Sequence, residues 1–279
     1  MSRIPLACSD FSFPLLPHDL ALDLIAGMGF EGVDVSLMVG NSHLPVEKVF
    51  TDPSPWGRDV RAKVEARGLK IADVNFTPGR GFSERALNHP EARVRRESSE
   101  RFRRALEFSA GCKARHMTLL PGIPWEGEPK QSSLQRSAEE LAWRVEEASK
   151  AGVTVSVEPH LGSIIPTPQE TRSLLQLTPG LTLTLDYTHF VYEGIQESEC
   201  EGLLPHASHF HARGGCRGRL QAPRKENTID YARVLQKMQE VGYPGYFAIE
   251  YVWIEWERCN EVDNVSETVL LRDLANQFR

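Results

Sequence analysis

The sequence has little cysteine and no long apolar run. Its five cysteines are scattered over 279 residues, and none stands in a Cys-x-x-Cys pair. This pattern argues against a disulfide framework or a thiolate zinc site and favours a reducing compartment. No stretch approaches the roughly 20 apolar residues of a membrane span, and Pro14 and Pro17 interrupt the N-terminal segment before a signal core can form. We therefore expect a cytoplasmic protein with no membrane partner.

Positive charge is also in deficit. The chain carries 32 Lys and Arg against 38 Asp and Glu, which gives a net charge of -6. This balance provides no general attraction to a nucleic-acid backbone or an anionic membrane. We expect no nucleic-acid partner, and the sequence is compatible with a homo-oligomer.

Short apolar runs rich in β-forming residues recur along the chain, and helical patterns with charged faces separate most of them. The runs are IPLACS (4–9), EGVDVSL (31–37), LKIADVNF (69–76), ARHMTLL (114–120), VTVSVEP (153–159), LTLTLDY (181–187), ASHFHA (207–212) and GYFAIEY (245–251). An open doubly wound sheet would usually show a glycine-rich loop after its first strand, and CSDFSFPLLP (8–17) is not one. Eight strand–helix units predict an α/β fold, a (β/α)8 TIM barrel that forms a single domain over residues 1–279.

Several helix boundaries are marked in the sequence. Thr167, Pro168 and Glu170 form a capping box at the start of one helix, and Gly242 ends another. The segment EGIQESECEGLLPH (193–206) is a poor helix, and we expect it to be short.

The last four strands each end in a potential metal ligand: Glu158, Asp186, His211 and Glu250. The active sites of such barrels lie at the carboxyl ends of the strands, and neighbouring strands are only about 4.8 Å apart. One such residue taken singly is more often a helix cap or a solvated charge, but four at equivalent depth indicate a site. Three carboxylates and an imidazole predict one divalent cation, with Mn²⁺ favoured over Mg²⁺, Co²⁺ or Zn²⁺.

Substrate-binding candidates lie in the neighbouring loops and strands. Arg213, Arg217 and Arg219 follow the strand-seven histidine, and arginine suits an anionic or hydroxyl-rich substrate. For each of these arginines, a solvated basic loop is the alternative. His116 on strand four is a further candidate, with a buried core histidine as the alternative.

Asp34, Asp73 and Asn75, near the ends of earlier strands, are weaker candidates. Trp253 and Trp256, just past Glu250, either form an apolar wall over the substrate or pack the last helix.

The second half of the chain resembles the xylose-isomerase-like superfamily of TIM barrels, in the sugar isomerase and epimerase branch that includes the ketose 3-epimerases. The stretches that carry the resemblance are VEPH (157–160), LDYTH (185–189), HFHARGGCR (209–217) and NTIDYARVLQKMQEVGYPGYFAIEY (227–251). The resemblance implies the same four metal ligands, a substrate contact from His189, and a substrate-holding role for Arg217. The implied substrate is a small sugar or polyol-derived molecule.

One position departs from this resemblance. Ketose 3-epimerases carry a second glutamate six residues after the strand-five ligand, and Ile164 stands there in this chain. The Glu158-x-His160 pair instead resembles the 3-dehydroshikimate dehydratase type, in which such a histidine can serve as a base. Epimerisation and dehydration therefore both stay open.

The two reactions share their first step. A divalent cation that chelates a carbonyl and its neighbouring hydroxyl acidifies the adjacent C–H and stabilises the enediolate. The candidate bases are Glu158, Glu250, His160 and His189. We expect a metal-dependent isomerase or epimerase acting on a sugar or sugar-derived keto or hydroxy compound, with a dehydratase or lyase as the alternative.

Two other classes fit the sequence less well. An endonuclease IV-like DNA-repair enzyme would need additional histidine and aspartate ligands, which we do not find, and the net charge disfavours a DNA groove. A barrel that has lost its chemistry would show broken ligand positions, whereas all four are intact.

Overall fold

Eight parallel strands form the centre of the protein in the computed structural model, which describes residues 3–279. The strands are β1 (Leu6–Ser9), β2 (Gly32–Met38), β3 (Lys70–Thr77), β4 (His116–Leu119), β5 (Thr154–Val157), β6 (Thr182–Asp186), β7 (Ala207–Ala212) and β8 (Phe247–Ile249). They follow one another in chain order, and β8 pairs with β1 to close the barrel. The predicted (β/α)8 barrel is confirmed; residues 1 and 2 of the predicted domain lie outside the described residues.

Helices surround the barrel. They are α1 (His18–Gly27), α2 (Val46–Val49), α3 (Pro53–Glu65), α4 (Ala92–Cys112), α5 (Lys130–Lys150), α6 (Pro168–Leu177), α7 (Tyr187–Tyr192), α8 (Glu197–Cys200), α9 (Tyr231–Val241) and α10 (Asn264–Phe278). Short 3-10 turns add Asp10–Ser12, Glu201–His206 and Trp256–Glu261. Among residues 3–279, no helix combines the length and the apolar character that crossing a membrane requires.

The predicted helix signals act as expected. The Thr167 hydroxyl accepts a hydrogen bond from the backbone N–H of Glu170 at 3.2 Å and donates to its carboxylate at 2.8 Å, which caps α6. Gly242 ends α9 in the left-handed conformation, with φ of +68°, where glycine carries no steric penalty. Within residues 193–206, regular structure is limited to the four-residue α8 and a 3-10 turn, as the poor helical pattern there predicted; α7, just before this segment, was not predicted.

The inner side of the barrel is polar at mid-height. Leu183 and Leu185 of β6 are fully buried in the main apolar core, while Thr184 between them contacts hydroxyls across the barrel. Its Oγ1 lies 2.7 Å from Thr118 Oγ1 and 2.6 Å from Ser156 Oγ. Side chains alternate between the two faces of a strand. Asp186, two residues after Thr184, therefore also points into the barrel, at the carboxyl end of β6.

Candidate metal centre

The ends of β5 to β8 bring the four predicted ligands to one rim of the barrel. Asp186 is the last residue of β6, His211 lies next to the end of β7, and Glu158 and Glu250 directly follow β5 and β8. All four side chains are buried. The rim therefore holds three carboxylates and an imidazole away from bulk water.

His211 stands between two of the glutamates. Its Nδ1 lies 2.8 Å from Glu158 Oε1 and 3.3 Å from Glu250 Oε2. One ligand atom from each of the three residues lies within 4.8 Å of the others. This compact set can hold a cation with one imidazole nitrogen and two carboxylate oxygens.

Asp186 belongs to a second group that shares Glu158. One oxygen, Oδ1, accepts hydrogen bonds from the N–H and the hydroxyl of Thr188 at 2.9 and 2.7 Å, which starts α7. The other, Oδ2, lies 2.9 Å from Arg213 Nη2 and 3.6 Å from His189 Nε2. Ligand atoms of Glu158, Asp186 and His189 also lie within 4.8 Å of one another. The four predicted ligands thus form two overlapping groups.

The two glutamates differ in proton affinity. Burial alone would raise the pKa of Glu158, but attraction from His211, with smaller contributions from His189 and His160, lowers it to about 2. Burial raises the pKa of Glu250 to about 7, and the charge of Glu158 adds to this while His211 opposes it. Burial disfavours the charged form of His211, yet its pKa is raised well above the usual value by Glu250 and Glu158. When all are ionised, the three carboxylates of this rim outnumber its two cationic groups, His211 and Arg213, so the net charge is negative.

The donor set fits a divalent cation. His211 Nε2 and Asp186 Oδ2 are buried and have no hydrogen-bond partner among residues 3–279; Asp186 Oδ2 has only its ion-pair contacts. Three carboxylates and one imidazole form a hard, mostly oxygen set that suits Mn²⁺, Mg²⁺ or Co²⁺ and also admits Zn²⁺. Glu158, Asp186, His211 and Glu250 are the residues that would hold the ion.

His160 and His189 carry their protons on different ring nitrogens. The Leu161 N–H donates to His189 Nδ1 at 3.1 Å, so the neutral His189 ring carries its proton on Nε2, which lies 3.6 Å from the acceptor Asp186 Oδ2. His160 Nδ1 lies 2.7 Å from the Leu161 carbonyl oxygen and donates to it, which leaves Nε2 with a free lone pair. Burial lowers the pKa of both rings, that of His189 to about 4. His189 is therefore a hydrogen-bond donor, and His160 is a proton acceptor.

A cavity of about 410 Å³ opens above these groups. Its floor contains Glu158, Glu250, His160, His189 and Arg213, with Asn75 to one side. Its walls are largely apolar, and they include Phe11, Met38, Val39, Val252, Ile254 and Trp256. The cavity thus has a polar floor and an apolar upper wall.

Aromatic rings close part of the mouth. The Phe82 ring lies 4.4 Å from that of His160 and 5.4 Å from that of Trp256, centroid to centroid. Phe82 lies in the loop after β3, and Trp256 begins the 3-10 turn that follows β8. Phe82 was not predicted as a site residue, and no pattern in its loop signals the role. Trp256 was a candidate for an apolar wall, and it lines the cavity, whereas Trp253 does not.

Arg213 reaches the site and Arg217 does not. Arg213 is buried, and its Nη2 also lies 3.3 Å from His189 Nε2. Beyond it the chain turns back through an antiparallel bridge between Cys216 and Arg219. This turn carries Arg217 to the surface, where it lies over Gly194 and outside the cavity. The six-residue spacing of the family resemblance therefore points to an arginine that the structure keeps away from the floor.

His116 lies at the opposite end of the barrel. It is the first residue of β4, so its strand position places it at the amino-terminal rim. Its Nδ1 lies 2.6 Å from Asp73 Oδ1, and its Nε2 lies 2.7 Å from Ser208 Oγ. The structure thus does not bring His116 to the cavity, and the alternative of a buried, paired histidine describes it.

Asp34 lies closer to the site than its weak sequence signal indicated. It is a buried acid within the apolar strand β2. Its Oδ2 accepts a hydrogen bond from His209 Nε2 at 2.9 Å and lies 3.6 Å from His211 Nε2. An acidic residue in a fully buried strand was the available signal.

The closed parallel barrel and its acid-rich carboxyl rim define the general class, a TIM barrel with a candidate metal centre. The chain belongs to the xylose isomerase-like TIM barrel family, whose sequence model matches residues 22–271. Among curated proteins, none shows significant sequence similarity to the chain.

Solved structures of the same fold include different enzymes. D-Psicose 3-epimerase from Clostridium cellulolyticum H10, solved with D-tagatose, superposes with a TM-score of 0.76 at 15% identity over 99% of both chains. The IOLI protein with a bound zinc atom gives 0.74 at 14% over 99% of both. The probable 3-DHS dehydratase AsbF from Bacillus anthracis gives 0.72 at 15%, covering 97% of this chain and 99% of the other. At these identities the likeness shows the fold alone, and an AP endonuclease also shares it.

Proposed function

We propose that the protein is a divalent-metal-dependent isomerase or epimerase acting on a sugar or sugar-derived keto or hydroxy compound. The observation that carries the proposal is the group of Glu158, His211 and Glu250, of which the two glutamates line a 410 Å³ cavity and His211 is buried against them. The epimerase and the zinc-containing protein among the structural neighbours support it. The cavity is of the size that small-molecule sites have.

The bound cation would polarise a substrate carbonyl and its neighbouring hydroxyl, which makes the adjacent C–H acidic. The side chains then divide the remaining work. Glu158, with its low pKa, stays anionic and serves as a ligand. Arg213 and His189 line the same cavity, and the Arg213 guanidinium has several N–H donors that a substrate oxygen can accept from.

Two groups are suited to move the proton. Glu250 is a buried carboxylate that lines the cavity, so it lies where it can accept a substrate proton and return it. His160 offers a lone pair on Nε2 inside the cavity. Return of the proton to the other face gives an epimer, and return to the neighbouring carbon gives an isomer.

A dehydratase or lyase is the second candidate. Ile164, at the position where ketose 3-epimerases carry a second glutamate, is fully buried in the apolar core and cannot take that role. His160 is then the additional base near Glu158, as in the dehydratase type. Loss of a β-hydroxyl after proton abstraction would give this reaction.

Metal content and solvent deuterium incorporation test the proposal together. The wild type, purified without affinity metals, should contain or take up about one divalent ion per chain, and Glu250→Gln should hold far less. The matched control Glu261→Gln removes an exposed carboxylate from the same region and should behave as the wild type.

Keto-sugars and hydroxylated keto acids are then incubated with the metal-loaded enzyme in D2O. Deuterated epimer or isomer supports the first candidate, and loss of water to an unsaturated product supports the second. If the wild type binds no divalent ion and gains no thermal stability from any, the proposal is wrong.

A further inference from the structure

His211 faces a different partner on each side of its ring. Its Nδ1 points to Glu158 and Glu250, at 2.8 and 3.3 Å. Its Nε2 points into the barrel, where Asp34 Oδ2 lies 3.6 Å away. Nε2 is buried and has no hydrogen-bond partner among the described residues. The ring therefore bridges the candidate metal centre and a carboxylate beneath it.

If a cation binds His211 at Nδ1, the Nε2 atom needs a hydrogen-bond acceptor. An imidazole that gives one nitrogen to a metal keeps its proton on the other. That N–H lies in the barrel interior, where a buried donor left without an acceptor is costly. The Asp34 carboxylate needs to move by only a few tenths of an ångström to come within hydrogen-bond reach of about 3.2 Å.

Asp34 is held in place for this contact. It comes from β2, on the far side of β1 and β8 from His211, and only 1% of its surface is exposed. His209 Nε2 donates to the same Oδ2 at 2.9 Å, while Oδ1 has no hydrogen-bond partner among residues 3–279. The carboxylate is thus fixed from one side and has spare acceptor capacity for a second donor.

We propose that Asp34 is a positioning residue for the metal ligand His211, fixing the ring orientation and the tautomer that leaves Nδ1 free for the cation. This inference rests on the proposed metal-dependent function. His209 anchors Asp34 from below, which gives the two histidines of β7 separate duties. Such partners of metal-bound histidines typically affect metal affinity by about 10- to 100-fold.

The barrel offers a matched control for Asp34. Asp73, its pairing partner on β3, is also fully buried and also contacts a histidine, His116 Nδ1, at 2.6 Å. The His116 ring lies 5.2 Å from the ring of His209, but neither His116 nor Asp73 hydrogen-bonds to any of the four candidate ligands. Asp73→Asn therefore removes an equivalent buried charge without touching His211.

The test compares Co²⁺ binding to the wild type, Asp34→Asn and Asp73→Asn, each first freed of metal with a chelator. Visible absorption of Co²⁺ reports affinity and ligand geometry, independently of any substrate. We expect Asp34→Asn to bind Co²⁺ about 10- to 100-fold more weakly with an altered spectrum, and Asp73→Asn to match the wild type in both. Equal binding by wild type and Asp34→Asn, or equal weakening in both variants, overturns the positioning role. A wild type that binds no Co²⁺, Mn²⁺ or Zn²⁺ overturns the proposed function as well.

A measurement on the wild type covers the case in which Asp34→Asn does not fold. In Zn²⁺-loaded protein labelled with ¹⁵N-histidine, the His211 ring should show a slowly exchanging proton on Nε2. The His209→Gln variant distinguishes the signals of the two β7 histidines. An unprotonated His211 Nε2, or one that exchanges as fast as an exposed histidine, overturns the inference.

Discussion

The amino-terminal and carboxyl-terminal ends of the barrel interior contain the same residue types, which serve different purposes. At the amino-terminal end, His116 contacts Asp73 through one nitrogen and Ser208 through the other, and Ser208 also contacts Thr182 at 2.6 Å. At the carboxyl end, His211 meets two glutamates and faces a third carboxylate, Asp34. One histidine is matched by its partners, and the other is surrounded by excess negative charge.

The difference shows what separates a structural polar cluster from a site. A buried pair whose groups satisfy one another stabilises the fold without needing a ligand. Three carboxylates around one imidazole cannot satisfy one another, because like charges in a low-dielectric interior repel. The surplus of charge at one end, more than the presence of histidine or aspartate, marks the place for a cation.

The largest loss of stability is expected where a substitution leaves a buried charge without its partner. Arg213→Met removes the cation that faces Asp186 Oδ2 at 2.9 Å, and breaking such a buried pair typically costs about 3–5 kcal/mol. Urea unfolding of the metal-free protein measures this loss. Arg217→Met, at the exposed turn, should change the free energy of unfolding by no more than about 0.5 kcal/mol. Equal losses in the two variants would contradict the placement of the arginines.

Removal of a ligand should come next in size. Glu158→Gln takes away the carboxylate that both ligand groups share, so Mn²⁺ affinity should fall by more than the roughly 100-fold seen for outer partners. Titration followed by the electron paramagnetic resonance of free Mn²⁺ gives the constants. If Glu158→Gln bound Mn²⁺ as tightly as the wild type, Glu158 would not be a ligand of the metal centre.

A smaller effect, of another kind, is expected at the opposite end. His116→Leu leaves Asp73 and Ser208 without their imidazole partner, which should cost about 1–3 kcal/mol of unfolding free energy. Mn²⁺ affinity should stay at the wild-type value, because the residue lies away from the cavity. If His116→Leu kept wild-type stability but lost metal affinity, the structural role assigned to the amino-terminal end would be wrong.

The smallest effect is expected in the hydroxyl layer between the ends. Thr184→Val keeps the side-chain shape and removes contacts of 2.7 and 2.6 Å with Thr118 and Ser156. A loss of about 1 kcal/mol is expected in thermal or urea unfolding, with no change in metal affinity. A weaker metal constant in this variant would show that the layer transmits strain between the two ends.

Much of the architecture could be predicted from the sequence. The eight β-rich runs overlap the eight observed strands, since strand alternation and helix caps are local patterns. The acids at strand ends were visible for the same reason. The positions of Arg217 and His116 were not visible, because one depends on a tight turn and the other on where its strand begins in the barrel.

The sequence by itself determined the closed barrel and the four residues brought to one rim, because parallel strands of alternating pattern carry their carboxyl ends to the same side. Only the tertiary structure decided that Arg213 pairs with Asp186 and that Asp34 lies near His211. It also decided which ring nitrogen of His160 and of His189 carries the proton. These contacts join residues far apart in the chain across the barrel interior. Their distances follow from strand register and barrel closure, which no local pattern encodes.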